Sequence, residues 1–200
     1  GRDAFEALVL REYLIYRAHG LLTDLSFRVR LARVTFADIA GRDEAVTRWA
    51  FFIEDASALA ARVGGEILEL PEGKSLRPQA LHPYAATETA LFEYLVGNTD
   101  WHDAGAHNVV ILGVAGRIVP VPFDFDFAGA VEAPYANPAD GLPIANVRQR
   151  LYLGWCWPGL DTGPLLDRFR AMRPALEELY RSFEPLDPGT QDQTLAYYGD

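Results

Sequence analysis

Two short runs of bulky apolar residues, Val109–Val114 and Ile118–Val121, stand on either side of Ala115-Gly116-Arg117 and are bounded by Asn108 and Asp124. The runs are short for helices, rich in β-branched residues and joined through a glycine, a pattern that predicts a β-hairpin. Pro120 and Pro122 remove backbone donors and restrict the second strand to an edge or terminating position. Two oxygen-bearing side chains therefore stand at the ends of apolar strands, where a packed scaffold can hold them close.

The flanks of the hairpin carry two further acids. Upstream, Thr87 reads as an N-cap, Ala90, Leu91, Tyr94 and Leu95 share one helical face, and Gly97 suits a C-terminal cap, so Asp100 is expected just beyond a rigid element. Downstream, Phe123-Asp-Phe-Asp-Phe127 predicts an extended segment with Asp124 and Asp126 on one side and the three rings on the other. Two like charges on one face repel, a cost that a bound cation removes.

The rest of the chain reads as α+β. Residues 5–18 have the period of a helix, with Glu12 near its apolar face and a stop at His19-Gly20. Residues 26–34 and 49–53 alternate as two strands around the turn-like segment 40–44, and Glu54-Asp55 ends the second. A short helix is expected over 56–63 and irregular chain over 64–83. Residues 130–163 are rich in Pro, Gly and Asn, with a short helix expected over 147–153. Residues 165–183 are helical in period, with Pro174 opening a second helix after Arg173.

Composition narrows the classes. Two hundred residues, half of them hydrophobic, suffice for one sizeable core or for two small lobes around a cleft. A net charge of −10 with no basic block argues against binding nucleic acid or an anionic membrane, and no apolar run reaches the roughly 18 residues of a membrane span. Cys156 is the single cysteine and Lys74 the single lysine. Neither a Gly-x-x-x-x-Gly-Lys loop, a Gly-x-Gly-x-x-Gly turn nor a Gly-x-Ser-x-Gly elbow is present.

The remaining candidates are oxygen donors in chain order. Phosphoryl transfer needs a carboxylate to orient an acceptor hydroxyl and ligands for the magnesium that neutralises the phosphates. Asp100 suits the first role, and Asn108 with Asp124 or Asp126 the second. His102 and His107 invite a zinc reading with Asp100 or Asp103, but structural zinc sites draw on cysteines or on histidines at helical spacing. A hydrogen bond from His107 to a carboxylate is the alternative.

In these segments, Gly97-Asn-Thr-Asp-Trp101, His107-Asn108 and Phe123-Asp-Phe-Asp-Phe-Ala-Gly129, the chain resembles the atypical protein-kinase-like families, especially the HipA-type and CotH-type kinases. The resemblance implies a two-lobed α+β fold, with a partial N-terminal lobe over residues 1–55 and a mainly helical catalytic lobe over 56–200. It implies ATP and magnesium as cofactors and a hydroxyl of a protein or small molecule as acceptor. Asp100 becomes the catalytic acid, and Asn108 with Asp124 or Asp126 the metal ligands. Glu12 becomes the helix acid that pairs with a phosphate-gripping lysine, and Ile53, Glu54 and Asp55 the hinge that binds adenine. That lysine is expected ahead of the Glu12 helix, and Lys74 follows the hinge, so either strands precede Gly1 or an arginine substitutes. Segment 130–147 takes the place of a substrate loop, with Arg148 and Arg150 beyond it. Two other outcomes are a nucleotide-binding pseudokinase that scaffolds a partner and a relative that transfers AMP.

Overall fold

The hairpin forms. In the computed structural model, which describes residues 2–71 and 74–199, strands β4 (Val109–Val114) and β5 (Arg117–Pro122) pair antiparallel, with Val109 opposite Pro122 and Val114 opposite Arg117. Both turn residues, Ala115 (φ 49°) and Gly116 (φ 74°), are left-handed, which matches the twist of a two-residue hairpin turn. The stretch read as irregular contains a short strand, β3 (Gly65–Ile67), with Ile67 opposite Leu112. Three residues are too few for a periodic signal, and β3 exists because β4 offers it a free edge. The sheet order β3-β4-β5 leaves the proline-bearing strand at an edge.

Helix α1 (Arg2–Leu22) runs past the expected stop at His19-Gly20. His19 is buried and its ring stacks on Phe92 with centroids 4.4 Å apart, so tertiary packing continues the helix. Strands β1 (Val29–Phe36) and β2 (Val46–Ile53) form the second antiparallel hairpin, with Val29 opposite Ile53. β1 begins three residues later than the alternation suggested, because the Ser26 hydroxyl donates to the Thr23 carbonyl at 2.7 Å and holds that segment as a turn. Phe51 of β2 packs against Tyr13 and Tyr16 of α1, at 5.9 and 5.7 Å between ring centroids.

Helix α2 (Ala56–Arg62) is capped by Asp55, whose Oδ1 accepts the Ser57 amide at 2.8 Å. Helix α3 (Pro83–Val96) starts one turn before Thr87; His82 is its cap, Pro83 fills its first position, and Thr87 is buried within it. No helix forms over 147–153. The Arg150 guanidinium holds that segment instead, donating to the carbonyls of Leu95 (3.1 Å) and Tyr197 (2.5 Å). Helix α4 (Gly163–Arg181) passes through Pro174 without a break. An internal proline costs roughly 3 kcal/mol, and burial of Leu165, Met172, Leu176 and Tyr180 along one face offsets it. Helix α5 (Pro188–Gly199), which the periodicity did not announce, is capped by Asp187, whose Oδ1 accepts the Thr190 amide at 2.9 Å.

The fold is α+β, five helices around two small antiparallel sheets among the described residues. One core joins Leu14 and Ile15 of α1, Phe92 of α3, Leu112 and Val121 of the hairpin, Phe125, and Leu176 and Tyr180 of α4. Helix α1 thus lies against both β2 and α4. A smaller cluster, Ala90, Trp101, Val109 and Ile111, sits beneath the Asp100 segment and anchors it between α3 and β4. No described helix is long and apolar enough to cross a membrane.

Candidate active site

Seven residues separate Asp100 from Asn108, and the chain closes that gap by folding back on itself. His102 and His107 exchange both backbone hydrogen bonds, at 3.0 and 2.9 Å, so residues 102–107 form a closed loop. Inside it the His102 Nδ1 accepts the Gly105 amide at 2.8 Å. Asn108 emerges beside Asp100: its Nδ2 donates to the Asp100 carbonyl at 2.8 Å and to Oδ2 at 3.1 Å. His107 Nε2 stands 3.1 Å from Asp100 Oδ1. This histidine therefore serves the carboxylate.

Hairpin register brings in the next acid. The Phe123 amide donates to the Asn108 carbonyl at 2.9 Å, extending the β4–β5 ladder by one pair and leaving Asp124 one residue from Asn108's partner. Asp124 then turns left-handed (φ 61°), its amide donating to the Tyr16 hydroxyl at 2.8 Å. The extended alternation expected over 123–127 does not hold, because this bend drops Phe125 fully into the core and carries Asp126 into a turn. The two carboxyls meet all the same, through the turn and not through strand alternation. Asn108 (φ 53°) is left-handed as well. Asn and Asp tolerate this region better than other side chains, and such conformations gather at functional sites.

The acids feel one another's charge. The Asp124 carboxyl is pushed up by burial and then by Asp126 and Asp100, with His107 opposing. Glu12 reaches the same group from α1. Burial first, then Asp124 and Asp126, raise it to about 7, against a weaker pull from the Phe125 backbone. Tyr135 faces Asp126 from the 130–147 segment, its hydroxyl pushed up to about 12 by burial and by that acid. Asp100, Asn108, Asp124, Asp126 and Glu12 are thus brought together from four segments of the chain.

Among the described residues, no three or more His, Cys, Asp and Glu side chains form a cage for a metal ion by themselves. The donors present suit magnesium, a hard cation that commonly binds through one or two carboxylates while substrate phosphates supply further oxygens. Asn108 uses Nδ2 on Asp100, which leaves its Oδ1 without a side-chain partner in that pair.

Other candidates have other work. Glu54 clamps Arg62 by two bonds, Nε to Oε1 at 2.9 Å and Nη2 to Oε2 at 2.8 Å, and its amide donates to the Arg28 carbonyl. Asp55 caps α2 with its side chain, and its carbonyl accepts the Leu59 amide. The Arg28 amide donates to Glu54 Oε2 at 3.0 Å, and Ile53 ends β2 opposite Val29 with its side chain exposed. Arg148 pairs with Glu132 at 2.6 Å, and both Arg148 and Arg150 lie over the Tyr197 ring. An apolar cavity of about 240 Å³ between α3, α4 and α5 is lined by none of the clustered acids.

Sequence reasoning gave no site role to Tyr16. Tyr16 carried a signal, since it lies four residues from Glu12 on one helical face. Tyr135 was read only as part of the 130–147 segment. No known family, curated protein or solved structure matches this chain.

Proposed function

We propose that this protein is an ATP- and magnesium-dependent phosphotransferase with a protein-kinase-like, two-lobed architecture of the HipA or CotH kind, acting on a hydroxyl of a protein or small molecule. The observation that supports it is the direct bonding of Asn108 to Asp100 across the closed 102–107 loop, with Asp124 and Asp126 alongside. Asp100 orients the acceptor hydroxyl and takes its proton as the hydroxyl oxygen bonds to the γ-phosphorus and the bond to the nucleoside diphosphate breaks. His107 holds Asp100 in the orientation for this step. Asn108 Oδ1, Asp124 and Asp126 would hold magnesium, whose contribution is to neutralise phosphate charge. The backbone of Ile53 would meet the base.

The test is Asp100→Asn. Transfer from ATP is expected to fall by about 10² or more, the usual weight of a positioned base, while calorimetry shows magnesium-ATP affinity within threefold of wild type. Full turnover by the variant refutes the role given to Asp100. A labelled γ-phosphate that stays off the acceptor while the α-phosphate appears on it identifies AMP transfer instead. One observation favours a second reading, a nucleotide-binding pseudokinase: the charged neighbours that raise Glu12 are the acids Asp124 and Asp126. Nucleotide binding without transfer of either group to any acceptor selects that reading.

A further inference from the structure

Segment 23–28, which joins α1 to β1, is fixed along its whole length. The Ser26 hydroxyl donates to the Thr23 carbonyl at 2.7 Å, and the Leu25 amide donates to Thr23 Oγ1 at 3.3 Å. Arg62 of α2 donates to the carbonyls of Asp24 and Ser26 at 2.9 and 2.7 Å. At the far end the Arg28 amide donates to Glu54 Oε2 at 3.0 Å, and the Glu54 amide returns a bond to the Arg28 carbonyl at 2.8 Å. These bonds hold the backbone on either side of Arg28 and leave its guanidinium unused.

Arg28 lines a cavity of about 430 Å³ together with Tyr16, Arg17, Asp24, Ser26 and Arg62, a volume within the rough 300–1,000 Å³ range of small-molecule sites. A second opening of about 450 Å³ shares Asp24, Arg28 and Arg62 with it and reaches Val114 of β4. The charges in this wall do not cancel. Arg62 is neutralised by Glu54, both side chains being mostly buried. Arg17 bonds a neutral group, the Tyr13 hydroxyl, at 2.9 Å, and among the described residues neither Arg17 nor Arg28 stands within ion-pair distance of a carboxylate. Asp24, the acid in the wall, pairs with neither of them. In a chain of net charge −10, one cavity thus carries two cations without counter-charges. Like charges in one place repel, and an anion between them removes that cost.

We propose that this cavity binds a small phosphate-bearing molecule, with Arg28 and Arg17 gripping its phosphate and Arg62 fixing the floor. The guanidinium fork matches phosphate oxygens two at a time and stays charged at any working pH. The site goes beyond the phosphotransferase reading, since none of Glu12, Asp100, Asp124 and Asp126 lines it and its grip needs no metal. It adjoins that site through one residue: Tyr16 is in the cavity wall, and its hydroxyl accepts the Asp124 amide at 2.8 Å.

Calorimetric titration of the full chain with inorganic phosphate and with glycerol phosphate, in chelator and without nucleotide, is expected to give saturable one-to-one binding that weakens as salt rises. Arg28→Ala, which keeps the backbone bonds of the segment, and Arg17→Ala are each expected to lower the affinity at least tenfold, and Arg28→Lys to lower it less. Arg77→Ala removes the same charge from an exposed position outside both cavities and is expected to leave the affinity within twofold of wild type. No saturation by about 10 mM phosphate, far weaker than a functional ligand site, overturns the proposal, and so does an equal loss in Arg77→Ala. Displacement of phosphate by saturating magnesium-ATP also overturns it, because the arginines then serve the nucleotide. A short phosphoserine peptide that binds at least tenfold more tightly than glycerol phosphate identifies a protein segment as the occupant and overturns the small-molecule assignment. A wild-type protein that transfers nothing from ATP counts against the phosphotransferase reading alone, since these titrations contain no acceptor and read only binding.

Discussion

Glu12, Asp100, Asp124 and Asp126 bring like charges near one another, and the effect falls most clearly on Glu12 and Asp124. The consequence for stability has a definite sign. Glu12 stands near 4.5 when unfolded and about 7 when folded, so the native state binds more protons than the unfolded state between those values, and stability falls as pH rises across the window. In a chelating buffer, the melting temperature of the wild type is expected to drop between pH 5 and pH 8. Glu12→Gln removes the buried ionisation and is expected to flatten that drop, raising the melting temperature at pH 8 and leaving it nearly unchanged at pH 4.5. An identical pH profile in the two proteins contradicts the convergence of Glu12 on Asp124 and Asp126.

Elements hold these residues through their ends more than their middles. Gly97 terminates α3 at φ 70°, and a Cβ there would run into the Tyr197 hydroxyl. Gly97→Ala combines left-handed strain of about 1–2 kcal/mol with displacement of a buried ring, so chemical denaturation should show a loss of about 2–4 kcal/mol. The same glycine starts the Asp100 segment, so its substitution is also expected to weaken the proposed phosphoryl transfer. At the β2–α2 junction, Arg62 bonds Glu54 twice and reaches the carbonyls of Asp24 and Ser26 at 2.9 and 2.7 Å. Arg62→Ala leaves a poorly solvated carboxylate with the Arg28 amide as its one remaining partner, and a loss of about 2 kcal/mol is expected in urea unfolding. A value within error of zero would show that Glu54 is solvated well enough to need no partner.

For the whole molecule, binding and folding are linked. A ligand that recognises only the native state stabilises it by about 2.7 kcal/mol at one hundred times its dissociation constant. Magnesium-ATP is therefore expected to raise the melting temperature, ATP with chelator to raise it far less, and Asp124→Asn to blunt the metal-dependent part. A rise that survives chelation argues against a metal-bridged phosphate at these acids. Because α1 joins the same core as α3, α4 and the hairpin, the shift should appear as one cooperative transition.

Local pattern alone determined the hairpins, the cap at Gly97, the edge position of Pro120 and Pro122, and the order of Asp100, Asn108 and Asp124, because each depends on near-neighbour backbone geometry or alternation. Periodicity misjudged the start of α3, the passage of α4 through Pro174 and the absence of a helix over 147–153. Those outcomes depend on what distant residues bury, such as the guanidinium of Arg150 on the Tyr197 carbonyl. The site divides in the same way. Its residue types were legible, but the left-handed turn at Asp124, held by the Tyr16 hydroxyl, arises where segments far apart in the chain meet. Tertiary structure decided that these carboxyls share one place, since only packing can hold like charges together against their repulsion.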